Sequence, residues 1–127
     1  MSLCLVGAGV AVSIAAQSFS LSWTHTIEKT EWREEWRVDG AELLLEKASV
    51  KGSGAGMEPA AEARLEDGFY VWRPGTRQST LMLRRDLHAG DWTLCAQGRC
   101  DLLGVWLGVE ADPVEISADA RCEGRPR

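Results

Sequence analysis

The clearest pattern along the chain is an alternation of side chains that begins at Ser18. Serine or threonine takes every second position, and the positions between hold larger side chains: Phe19, Leu21, Trp23, His25 and Ile27. Successive side chains of a β-strand point to opposite faces, so this spacing predicts a half-buried strand. His25 is therefore expected on the apolar face, between Trp23 and Ile27.

The next stretch, residues 31–38, also alternates. Trp32, Glu34, Trp36 and Val38 fall on one side of a strand with this spacing, so Glu34 shares a face with two tryptophans. Helix is an open alternative here, because Trp32 and Trp36 also have i,i+4 spacing and residues 41–48 have high helix propensity. The pattern alone leaves two strands or a helical pair over residues 30–50.

Five further short runs are bounded by Gly, Pro or Asp: residues 69–73, 80–85, 91–95, 100–107 and 113–118. Regular short runs separated by turn residues are typical of antiparallel β-proteins. We expect one all-β domain over residues 1–119, an antiparallel sandwich or a small barrel, with residues 120–127 as a C-terminal tail.

The first sixteen residues contain no charged side chain. They resemble a secretory signal with small residues at the cleavage site, but the positively charged start of a signal is missing apart from the α-amino group. The run is also too short to span a bilayer, which takes roughly 20 apolar residues. The favoured alternative is a hairpin of two strands, residues 2–6 and 10–17, joined at Gly7-Ala8-Gly9.

The length and charge of the chain exclude some classes of function. A chain of 127 residues is one domain in size, and 14 basic against 19 acidic residues give a net charge of −5. Without an excess of positive charge to attract the phosphate backbone, the chain is not expected to bind nucleic acid. Six of the nine aromatic residues are tryptophan, which marks this as a tryptophan-rich core or surface.

The cysteines stand at positions 4, 95, 100 and 122. Zinc sites prefer two close cysteine pairs, and this chain has one, so no metal is predicted. Disulfides fit better: Cys95 and Cys100 flank Gln97-Gly98 at the tip of a predicted hairpin, and Cys4 with Cys122 would tie the first strand to the last.

Disulfides require an oxidising compartment, which conflicts with the missing signal. If they form, the protein is expected in the periplasm or at the membrane, exported by a segment upstream of this sequence. If the chain is complete as given, it is expected in the cytoplasm with reduced thiols. No membrane-spanning segment is predicted in this chain.

The block His25-Thr-Ile-Glu-Lys-Thr30 with Glu34, followed by Gly54-Ala-Gly-Met57, resembles the bacterial family known as domain of unknown function 1850. That family typically has His-Ser-Val-x-Lys-Thr in the first block, so Thr26 and Ile27 are departures. The resemblance extends to the Leu-Cys-Leu opening and the segment around Cys95 and Cys100. It implies that the opening is the first strand of the domain, which lowers the weight of the signal alternative.

Members of this family are often encoded beside a TAXI-type TRAP transporter, a tripartite system that depends on a periplasmic binding protein. The resemblance therefore implies a non-enzymatic accessory or binding protein of such a solute transport system. Its partners would be the transporter's membrane subunit or the solute-binding protein. The family has no established activity, and no cofactor is predicted.

The candidate site is a small polar pocket on a tryptophan-lined face. Its expected members are His25, Lys29, Glu34, Glu58, Trp23, Trp32 and Trp36. The pocket could take a small anionic or polar ligand on His25 and Lys29, with Glu34 fixing the imidazole tautomer. The structural alternative, a buried polar network that fixes strand register, is favoured. A small hydrolase-like enzyme with His25 as general base and Glu34 as its partner, and a purely structural assembly domain, are the other hypotheses.

The glycine-rich run 52–58 has neither the P-loop nor the dinucleotide-loop spacing. A close backbone crossing or bulge, with Met57 filling a gap, is favoured. The alternative is a ligand-contacting loop formed by Gly54, Gly56 and Met57.

Overall fold

The computed structural model describes residues 2–24, 30–51, 62–84, 91–118 and 121–122. Within those ranges the chain forms twelve strands and one short helix. In chain order they are β1 Ser2–Gly7, β2 Val10–Ala15, β3 Ser18–Thr24, β4 Glu31–Asp39, β5 Glu42–Lys51, β6 Arg64–Glu66, β7 Phe69–Trp72, β8 Thr76–Gln78, β9 Thr80–Leu83, β10 Thr93–Ala96, β11 Arg99–Leu102, α1 Leu103–Leu107 and β12 Val114–Ser117.

The strands form two antiparallel sheets. The smaller sheet has the order β2-β1-β12-β9, and the larger has the order β11-β10-β3-β4-β5-β7-β6, with β8 also paired to β5. Apolar side chains from both sheets pack into one buried cluster, to which Leu5 and Ile116 come from the smaller sheet and Leu21 and Leu94 from the larger. The prediction of an all-β antiparallel sandwich is confirmed.

The uncharged opening folds as a hairpin. Ala8 and Gly9 connect β1 to β2 with φ angles of 52° and 78°, the left-handed pair that a two-residue type I′ turn requires. Compared with the prediction, β1 is one residue longer and β2 ends at Ala15. Gly7 is needed for close packing, because a Cβ at this position would lie 2.7 Å from the Cβ of Ala111.

Two sequence interpretations are wrong. The helical alternative over residues 30–50 is replaced by β4 and β5. The predicted strand 100–107 ends at Leu102, and α1 follows. The run is apolar at nearly every position, so its periodicity could not distinguish a strand from a helix. The helix forms because Leu103 and Leu107, which are four residues apart, both enter the core. It ends at Gly108, whose φ is 77°. The three-residue strands β6 and β8 were not predicted, since all their side chains are exposed.

Cys95 is bonded to Cys100 and Cys4 to Cys122, the same pairs that the spacing indicated. Cys95 and Cys100 lie opposite each other on β10 and β11, beside the Gln97-Gly98 turn. Cys4 points away from the core between Ser13 and Ser117, yet is only 1% exposed. Within the described residues, none of the helices has the length and apolar character to cross a membrane.

Candidate functional site

A row of aromatic side chains crosses the larger sheet on its core-facing side. Trp23 of β3 and Trp32 of β4 are direct cross-strand partners, and their rings stack with centroids 5.7 Å apart and planes 7° from parallel. Trp92, one residue before β10, adds a third ring 4.2 Å from that of Trp23. Beyond Trp32 the row continues through Val50 to Tyr70. We call Trp92, Trp23, Trp32 and Tyr70 the aromatic row.

The aromatic row lies at the margin of the main core, which Trp92 contacts and which does not include Trp23, Trp32 or Tyr70. On the same face of β3 and β4, Phe19, Leu21 and Trp36 belong to the buried cluster between the sheets. The four members of the row are each only partly buried. The same face of these strands thus contributes buried core side chains at one end and partly exposed aromatic side chains at the other.

Trp92 has a fixed position in this row. Its indole Nε1 donates to the carbonyl oxygen of Arg84 at 3.0 Å, and its backbone N–H donates to Oδ1 of Asp91 at 2.8 Å. Polar ends that are satisfied by the chain itself leave the ring face for contact. At Trp92 the row therefore presents a ring whose own donor is already used.

Glu34 is a partly buried ionisable group beside the row. It lies on β4 next to Trp32 and Trp36 on the same face, with Leu21 and Ala48 as its cross-strand partners, 0% and 5% exposed. Oε1 of Glu34 accepts a hydrogen bond from the indole Nε1 of Trp36 at 3.1 Å. Among the described residues no cation lies within 4.0 Å of the carboxylate.

Burial raises the pKa of Glu34 above its usual value, and the hydrogen bond from Trp36 only partly opposes this shift. A carboxyl group that holds its proton more firmly than usual can act as donor or acceptor toward a bound group. Beside an aromatic surface, it supplies one polar, orienting contact.

The structure brings together Trp23, Trp32 and Glu34 of the predicted site. Trp36 lies next to them in sequence, but its ring is 3% exposed and stacks on Phe19, so it contributes a hydrogen bond and no surface. The other predicted members fall outside the described residues, and their roles stay predictions: His25, Lys29, Glu58, Gly54, Gly56 and Met57.

Sequence reasoning missed two members of the row, since neither Trp92 nor Tyr70 was among the expected members of the site. Both residues join the row because of the order of strands in the sheet: β10, which Trp92 precedes, lies beside β3, and β7, which contains Tyr70, lies beside β5. Both residues lie within predicted strands, residues 69–73 and 91–95, but the strand pairing that aligns them with Trp23 and Trp32 could not be inferred from the sequence.

A concave surface lies on the opposite face of the larger sheet. It is an open cleft of about 340 Å³ near the Cys95–Cys100 disulfide, and Ser20, Glu35 and Gln97 are among its lining residues. The groups that line it are mostly small or charged and exposed. Among the described residues, no group of three or more His, Cys, Asp or Glu side chains is arranged to hold a metal ion.

Comparison with known proteins gives one result. A family model described as a domain of unknown function, number 1850, matches residues 19–103, about two thirds of the chain. The match runs from the second residue of β3 to the first residue of α1, so it covers the larger sheet with its aromatic row. No curated protein and no solved structure matches the chain. The chain belongs to the family of the domain of unknown function 1850.

Proposed function

We propose that this protein is a non-enzymatic accessory or binding protein of a TAXI-type TRAP solute transport system, and that it contacts its partner through the aromatic row and Glu34. The transport link rests on what the family resemblance implies. The observation that carries the binding role is the cluster of partly exposed aromatic side chains in the aromatic row. Tryptophan and tyrosine that are clustered and partly exposed are typical of the energetic centre of a binding surface.

The charge of the site favours a protein partner over a small anion. Glu34 has no cation within 4.0 Å among the described residues, and an anionic ligand placed beside it would oppose ionisation of the carboxyl group further. A partner that offers apolar or aromatic side chains and one hydrogen-bond donor fits the surface better. The solute-binding protein and the membrane subunit are the candidates, and a small anionic ligand held by His25 and Lys29 is the alternative.

Co-expression tests this proposal. The chain is produced with the solute-binding protein and the membrane subunit of a TAXI-type system from the same genome, and each is tested for co-purification. We expect one of them to co-purify with the wild-type chain, and solute uptake to fall in a strain that lacks the chain. Absence of association with both subunits, together with normal uptake in the deletion strain, would contradict the proposal.

The second candidate function is enzymatic, with His25 as general base and Glu34 as its partner. The raised pKa of Glu34 favours it, because perturbed carboxyl groups cluster at catalytic sites. Screening with ester, amide and phosphoester substrates tests it: hydrolysis that disappears in both His25→Gln and Glu34→Gln supports an enzyme. Without such turnover, and without a partner, the purely structural assembly role remains.

A further inference from the structure

The edge of the smaller sheet at β2 has unpaired backbone groups. β2 pairs with β1, and among the described residues it has no second neighbouring strand. Gly7 and Val10 close the two-residue turn as a hydrogen-bonded pair. From Val10 onward, the N–H and C=O groups of successive β2 residues therefore point alternately toward β1 and away from it. The N–H and C=O groups of Ala11, Ser13 and Ala15 consequently point away from β1.

One of these groups already has a partner, which confirms the direction. The carbonyl oxygen of Ala15 accepts a hydrogen bond from Nε2 of Gln97, in the turn between β10 and β11. Ala11 and Ser13 are left as the open stretch of the edge. Exposed edges pair readily with other strands unless charge, proline or a bulge protects them.

β2 has none of these protecting features. Its sequence, Val-Ala-Val-Ser-Ile-Ala, contains no charged residue and no proline, in a chain whose net charge is −5. The edges of the larger sheet are different, since β6 and β11 each carry an arginine and an acidic residue. β9, the other edge of the smaller sheet, has four residues and is followed by Arg84.

The strand is also complementary to a second copy of itself. An antiparallel pair centred on Val12 sets Val12 against Val12, Val10 against Ile14 and Ala11 against Ser13 of the other copy. Core-facing residues then meet core-facing residues, so the smaller sheet continues across the two-fold axis. The outward groups of Ala11 and Ser13 exchange hydrogen bonds in this register, and Val12 forms the non-hydrogen-bonded pair at the axis.

An exposed apolar surface lies around α1, a helix that neighbours β2. α1 packs against β1 and β2, and the side chains of Leu102, Val105 and Val109 on and around it are 45%, 55% and 37% exposed. A cleft of about 350 Å³ lies among these side chains. Strand pairing alone buries little area, so a stable dimer needs further apolar contact, and the surface around α1 is the exposed apolar surface near β2 that could add it.

We infer that this protein forms a two-fold symmetric dimer by antiparallel pairing of β2 with β2 of a second copy, with the surface around α1 packed at the same interface. The inference is independent of the transport proposal. The two copies form one continuous eight-stranded sheet from their two smaller sheets.

Sedimentation equilibrium of the disulfide-intact chain tests the dimer. We expect a dimer in the micromolar range, and Ala11→Pro should weaken it by about tenfold or more, because proline removes an outward N–H that β1 does not use. The matched control Ala11→Val keeps that N–H and should remain a dimer. A wild-type monomer throughout the micromolar range, or a dimer that Ala11→Pro leaves unchanged, would overturn the inference.

A cross-linking variant decides the question where Ala11→Pro does not fold. Val12→Cys places two thiols across the two-fold axis at the spacing of a non-hydrogen-bonded pair, so a disulfide-linked dimer should form in air. Ala15→Cys is the control, since that position lies far from its own copy and should give no cross-link. Absence of cross-linking by Val12→Cys counts against the interface, as does equal cross-linking by both variants.

Discussion

Trp23 and Trp32 lie directly opposite each other on adjacent strands, and their rings are stacked 7° from parallel with centroids 5.7 Å apart. The pair is at the free end of a face whose other end enters the core. Its partial exposure is a consequence of this position, because the cluster between the sheets takes in Leu21 and Trp36 and does not extend to Trp23 or Trp32. The two rings form the centre of the surface that we propose for binding.

The stacked pair should be energetically coupled. Trp23→Leu, Trp32→Leu and the double variant form a cycle in which we expect a coupling free energy of about 0.5–1.5 kcal/mol in urea unfolding, beyond the loss of burial. Trp106 makes no ring contact with Trp23, so the cycle of Trp23→Leu with Trp106→Leu should be additive to within about 0.5 kcal/mol. Equal coupling in both cycles would mean that stacking is not the cause.

Glu34→Gln should stabilise the protein at neutral pH. Because the pKa of Glu34 is raised in the folded protein, the folded state binds the proton more tightly than the unfolded state. The free energy of unfolding therefore falls as the pH rises from the pKa of the unfolded state through that of the folded state. Glutamine has no charge to desolvate and keeps an acceptor for the indole N–H of Trp36. Thermal melts from pH 4 to pH 8 should show a higher Tm for Glu34→Gln at the upper end and little difference at the lower end.

The comparison with Glu35→Gln controls for net charge. Glu35 lies on the opposite, exposed face of the same strand, and its carboxylate is 3.6 Å from Nζ of Lys47. A gain in Tm at pH 8 that Glu35→Gln matches would show that the loss of one negative charge, and not the burial of Glu34, is the cause. A Glu34→Gln variant with a lower Tm than wild type at pH 8 would show that the ionised carboxylate stabilises the fold.

Gly7→Ala should destabilise the domain by about 1–3 kcal/mol. The added Cβ would lie 2.7 Å from the Cβ of Ala111 and 3.2 Å from Cδ1 of Leu107, so the segment before β12 or α1 has to move. Ala111→Gly removes the closest of these atoms. The double variant Gly7→Ala with Ala111→Gly should regain part of the loss in denaturant unfolding, whereas simple additivity of the two losses would exclude this clash as the cause.

The two disulfides should differ in their effect on stability. Cys4 and Cys122 are 118 positions apart and Cys95 and Cys100 are five apart, so loop-closure entropy assigns about 5 kcal/mol to the first bridge and about 2 kcal/mol to the second. We expect the Cys4→Ala, Cys122→Ala variant to lose more stability than the Cys95→Ala, Cys100→Ala variant in urea unfolding. The reverse order would show that local hairpin geometry outweighs chain entropy.

The fold class followed from local patterns that the structure keeps. Alternation from Phe19 to Trp23 predicted β3, because that strand has one buried face, and the alternation from Trp32 to Val38 fits β4, although it left a helix open as the alternative. The Gln97-Gly98 turn was predictable because a two-residue hairpin needs positive φ at both positions, and these residues have φ angles of 53° and 77°.

What could not be predicted depends on contacts between distant parts of the chain. The spacing of Leu103 and Leu107 fits a strand and a helix equally well. The helix results from packing, because both side chains enter the core. Trp92 and Tyr70 join Trp23 and Trp32 through the order of strands in the sheet, which no local spacing encodes. The open edge at β2 has the same origin, because a strand's neighbours are a property of the whole sheet.

The most direct test of the proposed function is the dissociation constant of the complex with the co-purifying transport subunit, measured for three chains. Trp32→Leu removes the central ring of the aromatic row, and Arg33→Ser changes the next residue of β4, whose exposed side chain lies on the opposite face. The account predicts that Trp32→Leu weakens binding by at least about tenfold while Arg33→Ser stays close to wild type. Equal affinity of all three chains, or a loss confined to Arg33→Ser, would contradict it.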